Sequence, residues 1–368
     1  MLSAELAFLI CLNALRRITI VNQPTKLMTK SQLRVLAVGS QSSGVTYHRL
    51  ALPLSIMEKE YCLITDTITE ELLKEKNFNV VVVNRFLEST PLLSLLQWRK
   101  KYGFKLVVDI DDFWELFDKH LSAGTYRKLG VTRIIKDYIK YADLVTTTHN
   151  RLYLEIIRLN KNCVILPNAL PFDKDQFTPV RIETDRVNIT HTGSITHYPD
   201  IQQLKRPIAE LAKSKAFVDS TRMLLCGWND FNKWHWEQMA TLYTANNKLE
   251  YKILESLPVD LYMNFYAEAD MLIVPLLDNK FNRLKSNLKA LEAGAKRIPI
   301  LAYNRAPYDD IPTIFKVENW ERDIRRMAFS KQMREDYGQA NGDYVRQHYD
   351  IFKINEERFA TYSKLICQ

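Results

Sequence analysis

Cysteine is scarce and scattered in this 368-residue chain: Cys11, Cys62, Cys163, Cys226 and Cys367, with no Cys-x-x-Cys pair. That spacing excludes a zinc site of paired thiolates, and an odd count excludes a closed disulfide framework. A reducing, cytoplasmic setting is the simplest expectation, with peripheral membrane association left open. Glycine is equally sparse, at ten residues. No Gly-x-Gly-x-x-Gly and no Walker-type glycine loop occurs, which argues against a dinucleotide enzyme or a P-loop kinase. The seven histidines include no His-Glu-x-x-His, so no metal ligand set is expected from them. No repeat or low-complexity tract is present.

Long apolar runs are also lacking. Ala4 to Leu15 is mostly apolar and is followed by Arg16 and Arg17, but a bilayer span takes ~20 residues. The run has neither the positive start nor the small-residue cleavage site of a signal peptide. A surface helix, an interfacial anchor and a leader ahead of a start at Met28 stay open, and residues 1–31 are expected to be a non-catalytic extension.

What is present suits two moderate domains: 46% hydrophobic and 26% charged residues over 368 positions. The net charge of +8 and pI near 9.0 fit an anionic partner as well as they fit a merely lysine-rich surface. From Leu33 onward, short β-branched runs alternate with helical patterns. Strands are expected at 33–38, 80–83, 106–110, 144–147 and 164–166, with helices at 46–59, 91–102, 126–141 and 150–159. Such alternation implies βαβ units and parallel sheets. The proline-bearing stretch 167–186 interrupts it. The rhythm then resumes with strands at 187–192, 223–226, 249–254, 271–274 and 298–302, and helices at 337–348 and 354–365. The expected architecture is α/β, two Rossmann-like domains facing across a cleft. The first is placed at 32–170, a linker at 171–186, the second at 187–345 and a closing helix at 346–368.

The most informative stretch runs from Asn282 to Ala295. Ser286 reads as a helix N-cap, and Leu288, Leu291 and Ala295 have helical apolar spacing. Free amides of Ser286 and Asn287 at that helix start, with Lys285 beside them, make an anion site. Glu292 lies about two turns on and suits two ribose hydroxyls. An ordinary amphipathic helix with a Lys/Glu surface remains the plain alternative.

Lys285-Ser286-x-Leu288-Lys289-x-Leu291-Glu292-x-x-Ala295 followed by Ile298-Pro299-Ile300 resembles the donor-site helix of group 1 (retaining) glycosyltransferases of the GT-B fold. Thr190-His191-Thr192-Gly193-Ser194 then Asp200 resembles the loop that opens that family's second domain. Leu224–Gly227 resembles its next strand and turn, and Tyr266–Pro275 the segment before its donor loop. Gly44-Val45-Thr46-Tyr47-His48-Arg49 occupies the place of its first strand-to-helix loop, and 107–114 resembles a block of some members. The resemblance covers roughly residues 33–345. It implies transfer of a sugar from a nucleoside diphosphate sugar, without a metal or other cofactor, to a polysaccharide, a lipid-linked glycan or, as a minority reading, hydroxymethylated DNA. Gly193, Ser194, His197, Gly227, Lys285, Ser286, Asn287 and Glu292 are then the expected donor contacts. Gly44, Tyr47, His48, Arg49, Asp109 and Asp112 are the expected acceptor or cleft residues. Lys285 and Glu292 are expected to act in catalysis, with Asp111 as a base if the reaction inverts.

Two departures stand out. The position eight before Glu292, a sugar-contacting glutamate in many members, is Leu284. The usual arginine and lysine after the glycine loop are displaced to Lys205 and Arg206. A GT-B-like protein that has lost catalysis and binds nucleic acid or membrane is therefore the rival reading, and a sugar-nucleotide epimerase the third. Lys280, Arg283, Lys285, Lys289, Lys296 and Arg297 are expected to gather at the donor mouth. The oligomeric state is not legible.

Overall fold

The structure is a computed structural model and describes residues 33–57, 62–229 and 233–367; the expectations for residues 1–31 lie outside these. Two six-stranded, all-parallel sheets organise the chain. The first holds β1 (Val35–Val38), β2 (Cys62–Thr65), β3 (Val80–Asn84), β4 (Lys105–Ile110), β5 (Leu144–Thr147) and β6 (Cys163–Ile165), in the order β2-β1-β3-β4-β5-β6. The second holds β7 (Val187–Thr192), β8 (Thr221–Trp228), β9 (Glu250–Glu255), β10 (Met271–Val274), β11 (Ile300–Tyr303) and β12 (Phe315–Val317), in the order β12-β11-β10-β7-β8-β9.

The central strands follow from composition. Val80–Val83 and Val107–Val108 are fully buried because helices cover both faces of a parallel sheet. Every expected strand is present to within a few residues, but β2 and β12 are additional. Both are short edge strands: Phe315-Lys316-Val317 is interrupted by a lysine, whereas Cys62-Leu63-Ile64 is a short apolar run that the sequence reading passed over. The helix expected over 126–141 is two, Ala123–Leu129 and Val131–Tyr141. Gly130 separates them with φ of 64°, a left-handed stop.

Two further features shape the cleft. The helix after β1 starts at Gly44–Thr46, loosens into a π-turn at Tyr47–Ala51 and ends at Leu52–Ile56. Such a turn inserts a residue and re-aims its neighbours. The segment joining the sheets is packed rather than free. Its Gln176 Nε2 donates to Tyr47 Oη (2.8 Å) and Val259 O (3.1 Å), while Gln176 Oε1 accepts from Met263 N (3.0 Å). The last helix, Ile351–Ile366, returns to the first sheet. There Tyr362 and Leu365 cover Leu33, Val35, Leu50 and Leu54, and Asn355 Nδ2 donates to Pro53 O at 2.8 Å.

Candidate active site

The carboxyl ends of both sheets open onto one cleft, the expected ligand position for open parallel sheets. It has a volume of about 490 Å³ and joins a chamber of about 170 Å³. The first sheet contributes Gly44, His48, Arg49 and Asp111 to the main cleft; the second contributes Gly193, Ser194, His197, Gly227, Ser286, Lys289 and Glu292. Lys285 and Asp112 face the chamber. Three expected residues do not line either space. Tyr47 is turned to Gln176, Asp109 lies in the core, and Asn287 Nδ2 donates to Tyr349 Oη at 2.9 Å.

The glycine loops are fixed by close approach. Gly227 has φ of 106°, and a Cβ there would lie 2.8 Å from Gly193 O. Gly227→Ala is therefore expected to force the two loops apart, costing about 1–3 kcal/mol. An unchanged melting temperature would refute this packing argument.

The helix Leu288–Ala295 begins one residue later than the sequence implies. Its N-cap is Asn287, which makes no side-chain cap, and Ser286 does not cap at all. The first helical amides are left without intrahelical acceptors beside the cleft. Lys285 precedes the helix. Its ammonium lies 3.6 Å from Asp112 and 4.6 Å from the Phe281 ring centroid.

Lys289 is the cation closest to Glu292. Its Nζ donates to Glu292 Oε2 at 2.9 Å and to Tyr262 Oη at 2.6 Å. Burial alone would lower its pKa, but Glu292 and Tyr262 override that and hold the ammonium above its ordinary range. Tyr266 Oη also donates to Glu292 Oε2, at 2.6 Å. The other oxygen, Oε1, faces His48 Nε2 at 3.9 Å and is left as an acceptor toward the cleft. Burial pushes His48 down to about 4, so its ring is neutral near pH 7. Its Nδ1 is buried without a partner among the described residues.

The three aspartates at the carboxyl end of β4, Asp109 within it and Asp111 and Asp112 just after it, are all committed to cations. Asp109 accepts from Arg49 Nε (2.9 Å), Arg49 Nη2 (2.8 Å) and Thr146 Oγ1 (2.6 Å). Asp111 takes both ends of the Arg85 guanidinium at 2.7 Å. Burial would raise the Asp111 carboxyl, yet Arg85 and Arg49 hold it below the ordinary range. Asp112 is 3.2 Å from Arg85 and 3.6 Å from Lys285.

The expected basic mouth is dispersed. Lys280 pairs with Glu155 (3.0 Å), Arg283 with Asp278 (2.6 Å) and Arg297 with Asp343 (3.0 Å), while Lys296 is turned inward onto Thr178 O (2.7 Å). Only Lys285 and Lys289 of the six line the cleft or its chamber.

No family model matches the chain, and no curated protein does. Solved structures do. Sucrose-phosphate synthase from Thermosynechococcus elongatus is 13% identical with a TM-score of 0.67, over 90% of this chain and 99% of that one. A glycosyltransferase from Rickettsia africae is 13% identical with a TM-score of 0.63, over 90% and 98%. The catalytic domain of starch synthase IV from Arabidopsis thaliana, solved bound to ADP and acarbose, is 9% identical with a TM-score of 0.61, over 91% and 100%. The fold is GT-B.

Sequence reasoning left Lys289 without a role of its own, missed Arg85, and took Leu284 for a lost sugar contact. Lys289 stands in both the helix motif and the basic cluster but is given no contact by either, although its place three residues before Glu292 puts the two side chains on one helix face. Arg85 had a readable cue, since a run of buried aspartates needs a cation from elsewhere. Leu284 is buried with Phe281 in the core of the first domain, and its carbonyl meets His149 Nε2 at 3.1 Å. Position 284 thus anchors the loop before helix Leu288–Ala295 against elements of the first sheet.

Proposed function

We infer that the protein transfers a sugar from a nucleoside diphosphate sugar to a hydroxyl of a glycan acceptor. The observation that carries this reading is the Lys289–Glu292 pair at the start of helix Leu288–Ala295, inside a GT-B cleft and facing His48 of the other domain. The ADP held by the starch synthase catalytic domain supports the same ligand class here.

In this reading Glu292 Oε1 accepts a ribose hydroxyl. The diphosphate lies along the Gly193–Ser194 loop and the helix start. As the anomeric C–O bond breaks, its electron pair moves onto the departing phosphate oxygen. The acceptor hydroxyl oxygen forms the new bond to the anomeric carbon, and its proton passes to the departing phosphate oxygen. Lys289, Lys285 and the helix amides stabilise the growing negative charge, a preorganised electrostatic effect. These cations do the work a metal ion would otherwise do, so transfer is expected to survive EDTA. His48, neutral and half-partnered, is placed to hydrogen-bond a sugar hydroxyl. Asp111 serves the cleft wall through Arg85 rather than as a base.

A thermal-shift screen against nucleotide sugars, with and without EDTA, tests the reading. Stabilisation by one diphosphate sugar, lost in Glu292→Ala, is the expected result; no shift with any nucleotide would overturn it. Lys285→Ala is expected to slow transfer about tenfold, the scale of one charge-assisted contact. Full activity in that variant would remove Lys285 from the site.

A further inference from the structure

The turn after Gly193 presents a histidine held by a buried carboxylate. His197 Nδ1 is 2.8 Å from Asp200 Oδ2, and Asp200 is 2% exposed. The remaining oxygen of Asp200 is fixed by Leu277 N and Asn282 Nδ2, each at 2.8 Å. Three donors therefore hold this carboxylate in one orientation, and it in turn holds the imidazole. The ring is aimed, too. His197 lines both the main cleft and the chamber. A Cβ on Gly193 would lie 3.5 Å from His197 Cδ2, so the ring edge bearing Nε2 runs along the glycine loop. Nε2 has no protein partner among the described residues.

We propose that His197, tied to Asp200 through Nδ1, meets the departing diphosphate as an imidazolium and donates to it from Nε2. This rests on the donor-site reading above and assigns it a third cation. The carboxylate accepts from Nδ1–H and fixes the ring's orientation, and in the imidazolium Nε2–H is then a charge-assisted donor to phosphate oxygen. The proton stays on the imidazole; the histidine donates a hydrogen bond and does not transfer its proton. Asp200 is a positioning residue.

The surroundings make the assignment readable. Groups facing His197 are Asp200 on its own turn, His191 from β7, Lys285 and Lys289 from the donor loop and helix, and His120, Asp111 and Asp112 from the first domain. Burial pushes His191 to about 3 and His120 and His48 to about 4. All three are neutral across the range in which a histidine ordinarily switches, about pH 5 to 8. Against the effect of burial, Glu292 and Tyr262 hold the Lys289 ammonium above its ordinary range, and Arg85 holds the Asp111 carboxyl below its own. A titration in that window belongs to none of these neighbours.

The test is calorimetric binding of UDP, ADP and GDP at about pH 6 and pH 8 by wild type, His197→Gln and His197→Arg. The nucleotide's own phosphate titrates in the same range, so the pH slope is read as the difference between proteins for one ligand. Wild type is expected to bind about tenfold to a hundredfold tighter than His197→Gln at the acid pH, the scale of a hydrogen bond to a charged group, with the gap closing at the alkaline pH. His197→Arg is expected to keep its affinity at both. Asp200→Asn should move the loss of affinity to lower pH, because an imidazolium without its carboxylate gives up its proton more readily. Equal affinity of wild type and His197→Gln at pH 6, or the same slope in wild type and His197→Arg, would overturn the proposal while leaving the donor site standing. A wild type that binds none of the three nucleotides and turns over no nucleotide sugar would fell the donor-site reading, and this inference with it.

Discussion

Lys289→Ala is expected to lower the rate of sugar transfer by about a hundredfold to a thousandfold, the cost of deleting one preorganised donor to a developing charge. The ammonium is placed for this by contacts that do not involve substrate: Glu292 Oε2 at 2.9 Å and Tyr262 Oη at 2.6 Å. Its charge is secure, because those partners raise its pKa against the effect of burial. The same substitution has a structural consequence. Glu292 is 2% exposed, and a buried carboxylate that loses its only lysine destabilises a protein by about 3–5 kcal/mol. Activity and stability can be separated with the double variant Lys289→Ala/Glu292→Gln, which removes both charges. Its melting temperature should recover most of the loss, whereas transfer should stay at the level of the single variant or below. A single variant that transfers at the wild-type rate would end the assignment of Lys289 to the diphosphate. A double variant that recovers both properties would make the pair a packing device only.

That Lys289 had to be found in the structure shows where the sequence becomes opaque. Strand and helix order was readable because runs such as Val80–Val83 and Met271–Val274 cannot be soluble outside a covered parallel sheet. The cleft followed from that order, and Gly193, Gly227, Ser286 and Glu292 do line it. Helical periodicity, however, gives the face a residue lies on and not what covers that face. Lys289 meets Tyr262, and its partner Glu292 meets Tyr266, both from a turn more than twenty residues earlier in the chain. Lys285 and Arg297 look equivalent to it in sequence, yet one approaches Asp112 and the other pairs with Asp343 far from the cleft. Charge clusters in sequence are therefore weak guides to charge clusters in space. Leu284 makes the same point with the opposite sign. Read as a lost sugar contact, it weakens the case for catalysis. Buried beside Phe281 against the first domain, it is accounted for by packing.

Asp109→Asn is expected to cost about 3–5 kcal/mol of stability and to show its effect on activity only through that loss. The carboxylate is 2% exposed and holds Arg49 through two hydrogen bonds, at 2.9 and 2.8 Å. A second buried guanidinium, Arg358 from the last helix, lies in the same electrostatic neighbourhood. Burial lowers its pKa and Arg49 lowers it further, while Tyr362 and Asp109 oppose that. The Asp109 carboxylate therefore acts on two buried guanidiniums, with Asp111 a second negative charge near Arg49. Asparagine keeps the shape but removes the charge, leaving Arg49 with Leu166 O (2.8 Å) and Asn168 Oδ1 (3.1 Å) as uncharged acceptors. The alternative, an acceptor contact at Asp109, makes a different forecast: normal urea denaturation with depressed transfer. The two are distinguished by measuring the denaturation midpoint beside nucleotide affinity at a temperature where the variant is still folded. A midpoint within about 1 kcal/mol of wild type would return Asp109 to the cleft. The expected drop would instead explain why Arg49 and His48, neighbours on the π-turn at Tyr47–Ala51, stay aligned with Glu292. The Arg49 anchor fixes the turn from beneath, and the turn carries His48 to its position 3.9 Å from the Glu292 carboxylate.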